Sequence, residues 1–308
     1  MSKIYPKVYF KNKIVDFKEA NLSIANSAVL YGLSTYTVIP MFLSEDKKHL
    51  NLFKINEHFK RLRESAKIIG FNDFLKNWDQ TKFISSVLKT IKSNSIKQDS
   101  LIRITLFADE ILSGAKSYQV KNSLSIFIYQ MEPLIKKKGA NLIVSSWRRN
   151  PDLSIPSRAK INGGYVNAAL MKNEALALGY DDAIALDYSG HVAESTVSNI
   201  FLVKDNCLLT PSDSSDLLEG ITRKTIFEIA QKLGIKAIKT SIDRTELYLA
   251  SEVFLCGSSM SIFPVFKIDN VLINDAKIGQ ITKQISNEYF KMLRSNNANK
   301  DQILSIKV

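Results

Sequence analysis

Cysteine is nearly absent from this chain, histidine is scarce and no apolar run is long, and each shortage closes off a class of protein. Only Cys207 and Cys256 occur in 308 residues. Both lie in apolar or strand-like segments, far apart, so neither a disulfide framework nor a zinc knuckle is expected and the two read as packing residues. His49, His58 and His191 are scattered without ligand spacing, and no metal site is expected. No stretch approaches the roughly 20 apolar residues that span a bilayer, and Met1-Ser2-Lys3-Ile4-Tyr5-Pro6 carries no apolar signal core. The expectation is a cytoplasmic protein with no membrane role. Internal repeats and low-complexity tracts are lacking too, and only the tail from Ser295 to Lys300 reads as loose.

What is present is enough apolar material, 45% of the residues, to fill one large or two ordinary domains. The net charge of +12 raises the question of nucleic acid, because a basic face is the footprint of phosphate binding. The lysines, however, are spread over the outer positions of expected helices (Lys60, Lys67, Lys172, Lys224, Lys232), and the longest cluster is Lys136-Lys137-Lys138. That pattern is a solvated surface, and no nucleic-acid partner is expected.

The N-terminal part reads as strands around two helices. Lys7 to Phe10 and Lys13 to Phe17 suggest a hairpin, and Leu50 to Phe53, Ser100 to Phe107 and Ser123 to Met131 suggest further strands. Ile55, Phe59, Leu62, Ala66 and Ile69 recur at three- and four-residue spacing, which predicts a helix from Ile55 to Ile69; Phe83 to Ile91 predicts a second. Met131 to Gly139 combines a proline, a charge run and a glycine, and the domain junction is placed there. The expected domains are a small one at 1–130 and a large one at 140–308, joined by a linker at 131–139. Beyond the junction, strands are expected at Asn141 to Ser146, Ala183 to Asp187, Ser198 to Lys204, Lys236 to Lys239 and Glu252 to Cys256. Helices are expected at Tyr165 to Leu178, Thr222 to Leu233 and Gln280 to Leu293. Tight turns such as Tyr188-Ser189-Gly190 favour an α+β arrangement over a doubly wound parallel sheet.

Several residues carry chemistry in combination. Lys160 lies between Pro156 and the pair Gly163-Gly164, and desolvation or a neighbouring cation such as Arg158 would lower its pKa toward that of a nucleophilic amine. Tyr165 offers a phenol. Glu194 precedes the apolar run from Asn199 to Val203 and offers a carboxylate that could hold a pyridine nitrogen protonated. Gly220-Ile221-Thr222-Arg223 opens a helix whose free amides and threonine hydroxyl suit a phosphate, and Arg61 could add a lasting charge. Gly257-Ser258-Ser259 ends a strand and could complete an anion nest. Each has an ordinary explanation alone: a surface lysine, a turn-edge glutamate, a packed aromatic, a helix cap, a strand-ending turn. Together, an amine, a phenol, a carboxylate and two phosphate cups are the fittings of a pyridoxal 5'-phosphate (PLP) site.

The same segments resemble the fold-type IV PLP enzymes, and within them the branched-chain amino-acid aminotransferases. The resemblance runs from about Tyr31 to Met292. It is densest in Ser157 to Lys160, Tyr180 to Asp187, Glu194 to Phe201 and Gly220 to Arg223. It implies an α+β, two-domain fold like that of D-amino-acid aminotransferase, with a small N-terminal α/β domain and a larger mixed, barrel-like C-terminal domain. It implies Lys160 as the Schiff-base lysine, Tyr165 at the ring oxygen and Glu194 at the pyridine nitrogen. Leu218 would pack on the ring face, while Arg61, Ile221, Thr222, Gly257 and Ser258 would hold the phosphate. Tyr31, Tyr36, Arg103 and Ser259 fall where the family contacts substrate. The implied reaction is ping-pong transamination between a branched-chain L-amino acid and a 2-oxo acid such as 2-oxoglutarate, in a homodimer or larger assembly.

The departures lie mostly on the substrate side. Where the family usually shows an aromatic, Glu-Gly and then Arg, this chain has Tyr36-Thr37-Val38-Ile39-Pro40. Leu101 replaces an aromatic, and Gly257-Ser258-Ser259-Met260-Ser261 replaces a Gly-Thr-Ala-Ala-Glu type of segment. Two rivals therefore share the fold, a D-amino-acid aminotransferase and an aminodeoxychorismate lyase. A third is a non-catalytic protein that keeps fold and cofactor.

Overall fold

A computed structural model describes residues 3–111, 113–296, 299 and 302–307. Positions 297, 298 and 300 of the tail expected to be loose lie outside the described residues. Contacts divide the chain into two units. One is Met1–Glu132 with Ala159–Gly163 and Met292–Val308; the other is Pro133–Arg158 with Gly164–Lys291. Ala159–Gly163 and Met292–Val308 thus cluster with the first unit, although both lie in the stretch 140–308 expected for the second.

The first unit contains strands β1 (Lys7–Phe10), β2 (Lys13–Asp16), β3 (Ser34–Leu43), β4 (His49–Phe53), β5 (Ser100–Ala108) and β6 (Asn122–Gln130). Its helices are α1 (Ser27–Leu30), α2 (Ile55–Ile68), α3 (Asn72–Asn77) and α4 (Gln80–Lys92). With the C-terminal strand Ile303–Lys307 at one edge, the strands form a seven-stranded antiparallel sheet, continuing β4, β3, β5, β6, β1, β2. Alternation decides its two faces. Ile39 stands opposite Ile102, which stands opposite Ile128, and these share one buried core with Phe59 and Leu62 of α2, Phe74 of α3 and Phe83 of α4. Phe59 and Phe83 meet with ring centres 4.7 Å apart. The alternate register puts Tyr36, Val38, Leu101 and Arg103 on the other face.

β3 was not anticipated, and it is the strand on which the first unit's site is built. All but its last residue are buried, so no polar-apolar alternation marks it. Pro40 fits because of parity. Tyr36 sends its N–H away from β5 to the Lys160 carbonyl, so the amide that Pro40 lacks would face that same edge rather than its partner Leu101.

The second unit holds β7 (Ala140–Arg148), α5 (Tyr165–Ala177), β8 (Asp182–Leu186), β9 (Val192–Ser195), β10 (Asn199–Lys204), β11 (Cys207–Pro211), α6 (Ile221–Lys232), β12 (Ala237–Thr240), α7 (Glu246–Leu249), β13 (Glu252–Gly257), β14 (Ser261–Ile268) and β15 (Val271–Leu272). The unit boundary falls inside α8 (Gln280–Arg294). The sheet runs β12-β11-β10-β13-β14-β7-β8-β9, with β15 on β14. β11/β12, β14/β7 and β7/β8 are parallel and the other pairs antiparallel. Parallel neighbours need a crossover, supplied by α5 between β7 and β8 and by α6 between β11 and β12. Alanine-rich packing lets α5 lie close: Ala168 and Ala175 share a core with Ala183 and Ala185 of β8. No helix among the described residues is long and apolar enough to cross a membrane.

Candidate active site

In the first unit the lysine segment behaves as a short added strand. β3 meets β4 only over Met41–Leu43, which leaves its edge open from Ser34 to Pro40. Residues 160–162 take that edge: Tyr36 N–H donates to the Lys160 carbonyl at 3.0 Å, Asn162 N–H donates to the Ser34 carbonyl at 2.9 Å, and Thr35 bridges Ile161. Thr35 Oγ1 adds a second bond to the Lys160 carbonyl at 2.8 Å, and Lys160 N–H donates to Ser65 Oγ of α2 at 3.1 Å. The backbone of Lys160 is therefore held from both sides. Gly32, at φ +65, lets this segment in, since a Cβ there would stand 3.0 Å from Gly163 Cα.

Two cations share the Tyr36 ring: Lys160 Nζ is 4.9 Å and the Arg103 guanidinium 3.8 Å from its centre. Arg103 and Tyr36 are diagonal neighbours on the face away from the helices, which is why the contact forms. Arg103 Nη2 also donates to Asn162 Oδ1 at 2.7 Å. On the helix face, Arg61 Nη2 donates to Thr37 Oγ1 at 3.1 Å, and Thr37 Oγ1 lies 2.6 Å from Nδ1 of His58. His58 is fully buried, and burial first, then the charges of Arg61 and Lys160, hold its pKa well below the usual 6.5. Its Nε2 finds no hydrogen-bond partner. Tyr31 ends α1 with 38% of its surface exposed.

In the second unit the carboxylate is the centre. Glu194 lies on β9, inside a strand rather than at a turn edge, and is buried. Arg149, just past the end of β7, places Nε and Nη2 each 2.9 Å from Oε1; Asn199 Nδ2 donates to Oε2 at 3.1 Å and to the Leu218 carbonyl at 2.9 Å. A buried charge thus has a fork-shaped partner and a supporting amide. Leu218 precedes α6, whose cap is Gly220 and whose first residues Ile221 and Thr222 are both buried. Their amides are helix-start donors without intrahelical acceptors. The Thr222 hydroxyl neighbours that of Tyr289.

Arg223 anchors this helix start from within. It is 1% exposed, with Nε donating to Thr210 Oγ1 at 3.2 Å and Nη1 paired with Asp213 at 2.7 Å. Gly257 ends β13, Ser258 and Ser259 form the turn into β14, and Gly257 lies against Ser198. Tyr165 opens α5 and packs against its alanine core. Arg158, expected to depress the lysine, instead meets Asp152 and Glu219. The described residues contain no cluster of three or more His, Cys, Asp or Glu able to hold a metal.

Sequence reasoning missed Arg149 and Asn162. Trp147-Arg148-Arg149 puts two arginines in succession at a strand end, and only the fold decides that Arg148 faces out and Arg149 in. Asn162 carried no signal beyond standing two residues past the lysine.

Known proteins resemble this chain in sequence and in fold over most of its length. A profile of the family described as Amino-transferase class IV matches residues 41–268. A relative from Aquifex aeolicus named a probable branched-chain-amino-acid aminotransferase is 36% identical over 289 residues, 93% of this chain and 92% of that protein. The crystal structure of the branched-chain aminotransferase of Thermoproteus uzoniensis with norvaline superposes with a TM-score of 0.91 at 30% identity, covering 98% of this chain and 99% of that one. The crystal structure of a T.th. branched-chain amino acid aminotransferase with pyridoxamine 5'-phosphate gives a TM-score of 0.89 at 28% identity, with 99% of both chains covered.

The chain belongs to the class IV aminotransferases. It is a transaminase with the fold-type IV α+β architecture, and its cofactor is PLP. The residues fit that group. The first unit offers a lysine with a fixed backbone, and the second offers a buried carboxylate with its charge compensated and a helix start with a buried hydroxyl, groups whose chemistry suits an aldehyde, a ring nitrogen and a phosphate.

Proposed function

We propose that this enzyme transfers the amino group of a branched-chain L-amino acid to a 2-oxo acid, with 2-oxoglutarate as acceptor, by a ping-pong route with Lys160 as the catalytic amine. The observation that carries this reading is the fixed backbone of Lys160 on β3, with its Nζ beside Tyr36. The substrate class named for the relatives supports this choice, and the Val38 and Leu101 side chains on the face of Tyr36 supply an aliphatic surface.

Bound PLP supplies a ring that accepts the electron pair left when the Cα proton departs. Lys160 Nζ takes and returns that proton. Glu194 keeps a negative charge at the pyridine nitrogen, and Arg149 and Asn199 keep Glu194 from being an uncompensated buried charge. Tyr165 donates to the ring oxygen, and Leu218 packs on the ring face. Arg61, Ile221, Thr222, Gly257 and Ser258 take the phosphate. Tyr31, Tyr36, Arg103 and Ser259 face substrate.

A homodimer in the cytoplasm is part of the same reading. Exposed Val29, Leu30 and Tyr31 support a partner surface, and two free thiols suit a reducing compartment. Light scattering on the purified protein tests the assembly. The absorption spectrum of wild type and Lys160→Ala tests the lysine, whose loss should abolish the Schiff-base band. A donor panel tests the substrate: turnover of L-leucine supports the reading, and activity confined to D-alanine retires it.

A further inference from the structure

Asn162 is tied twice to one residue of β3. Its N–H donates to the Ser34 carbonyl at 2.9 Å and its Nδ2 donates to Ser34 Oγ at 2.8 Å. With Nδ2 committed, the amide oxygen is the atom left to face Arg103, whose Nη2 donates to it at 2.7 Å. The same guanidinium lies 3.8 Å from the centre of the Tyr36 ring. An amide oxygen and an aromatic ring hold the cation in place, and neither carries a charge that would cancel it. The guanidinium keeps its full charge and further N–H groups, in one geometry.

We propose that Asn162 is a specificity-determining positioning residue: by clamping Arg103 against Tyr36, it offers a preorganised guanidinium edge to the distal carboxylate of a dicarboxylic substrate. The proposal rests on the transaminase reading above, in which Arg103 faces substrate. An enzyme that takes an amino group from an aliphatic donor and passes it to a dicarboxylic acceptor must admit both side chains in turn. A freely moving arginine would have to be ordered each time the acid bound, at the expense of affinity. An acidic clamp would hold the arginine equally well but would neutralise it. A neutral amide, itself pinned by Ser34, holds the cation and leaves its charge available.

The test compares wild-type holoenzyme with Asn162→Ala and Asn162→Asp, using glutarate as a dicarboxylate and 4-methylpentanoate as an aliphatic monocarboxylate. Inhibition constants for both are measured beside KM and kcat for 2-oxoglutarate and L-leucine, with melting temperature as a fold control. For Asn162→Ala, the ratio of the glutarate constant to the 4-methylpentanoate constant should rise about tenfold, as expected for loss of a well-placed charged hydrogen-bonding group. The KM for 2-oxoglutarate should rise with it, more than kcat falls. Asn162→Asp retains an acceptor but cancels the charge, so it should lose the same discrimination without loss of melting temperature. An unchanged ratio in both variants, or an equal loss for both inhibitors, overturns the proposal. Should wild type turn over no donor and acceptor pair, the transaminase reading fails instead, and equilibrium binding of the two analogues still decides the role of Asn162.

Discussion

Arg149 grips Glu194 through one oxygen, with Nε and Nη2 both 2.9 Å from Oε1. The carboxylate side chain is 7% exposed and the arginine 18%, so the charges are largely out of water and each depends on the other. Breaking such a pair from one side costs more than removing it, because the remaining charge is left buried. Arg149→Met is therefore expected to destabilise the cofactor-free protein by about 2 to 3 kcal/mol in urea unfolding. Adding Glu194→Gln should recover most of that loss by removing the stranded charge. A loss of under about 0.5 kcal/mol in the single variant would show that the pair is solvated and that Glu194 does not depend on it.

The environment of His58 predicts a pH dependence. Burial, then Arg61 and Lys160, keep its folded pKa well below 6.5. Between that depressed value and 6.5 the unfolded chain binds more protons than the folded one, so stability rises with pH across the window. The contribution is complete above about 6.5 and is lost as pH falls toward the folded value. Wild type should lose about 1 kcal/mol more than His58→Asn between pH 6.5 and 5.5. Asparagine keeps a polar atom near the Nδ1 position beside Thr37, so the comparison isolates titration. Parallel slopes for the two proteins would mean that His58 charges in the folded state.

Legibility followed periodicity and continuity. The faces of α2 and α4 were readable because Phe59, Leu62 and Phe83 recur at helical spacing and all enter one core. Lys160, Glu194 and Thr222, the residues of the proposed site, stand out in the sequence because each lies in a run of residues whose combined chemistry is uncommon. β3 was not, because it is buried along nearly its whole length and contains a proline. β9 was not either, since four residues between two turns give too short a pattern to separate a strand from a loop. The clamps were least legible: Arg149 and Asn162 act through partners 45 and 59 positions away, which only tertiary structure brings together.

The thiols offer a simple check on burial. Cys256 is fully buried on β13, and burial raises its pKa, whereas Cys207 is partly exposed at the start of β11. A buried thiol is neither ionised nor reachable. A thiol reagent such as DTNB should titrate at most one cysteine in native protein and both in denaturant, and Cys256→Ser should leave the native count unchanged. Native labelling that disappears in Cys256→Ser would contradict this packing of β13.

Gly220 caps α6 with φ −67 and ψ 139, a conformation open to any residue, so space alone forbids a side chain there. A Cβ would fall 2.1 Å from Asn199 Oδ1. The Asn199 amide cannot simply turn aside, because its Nδ2 holds both Glu194 and the Leu218 carbonyl. Gly220→Ala should therefore force that amide to move, loosening the carboxylate and the helix start together, at a cost of about 2 kcal/mol. PLP affinity, read by titration of the apoenzyme, should fall as well. If the clash is the cause, Asn199→Ala relieves it, and the double variant should be no less stable than Asn199→Ala alone to within about 0.5 kcal/mol. Simple addition of the two losses would mean that the glycine is required for a reason other than the approach of Asn199.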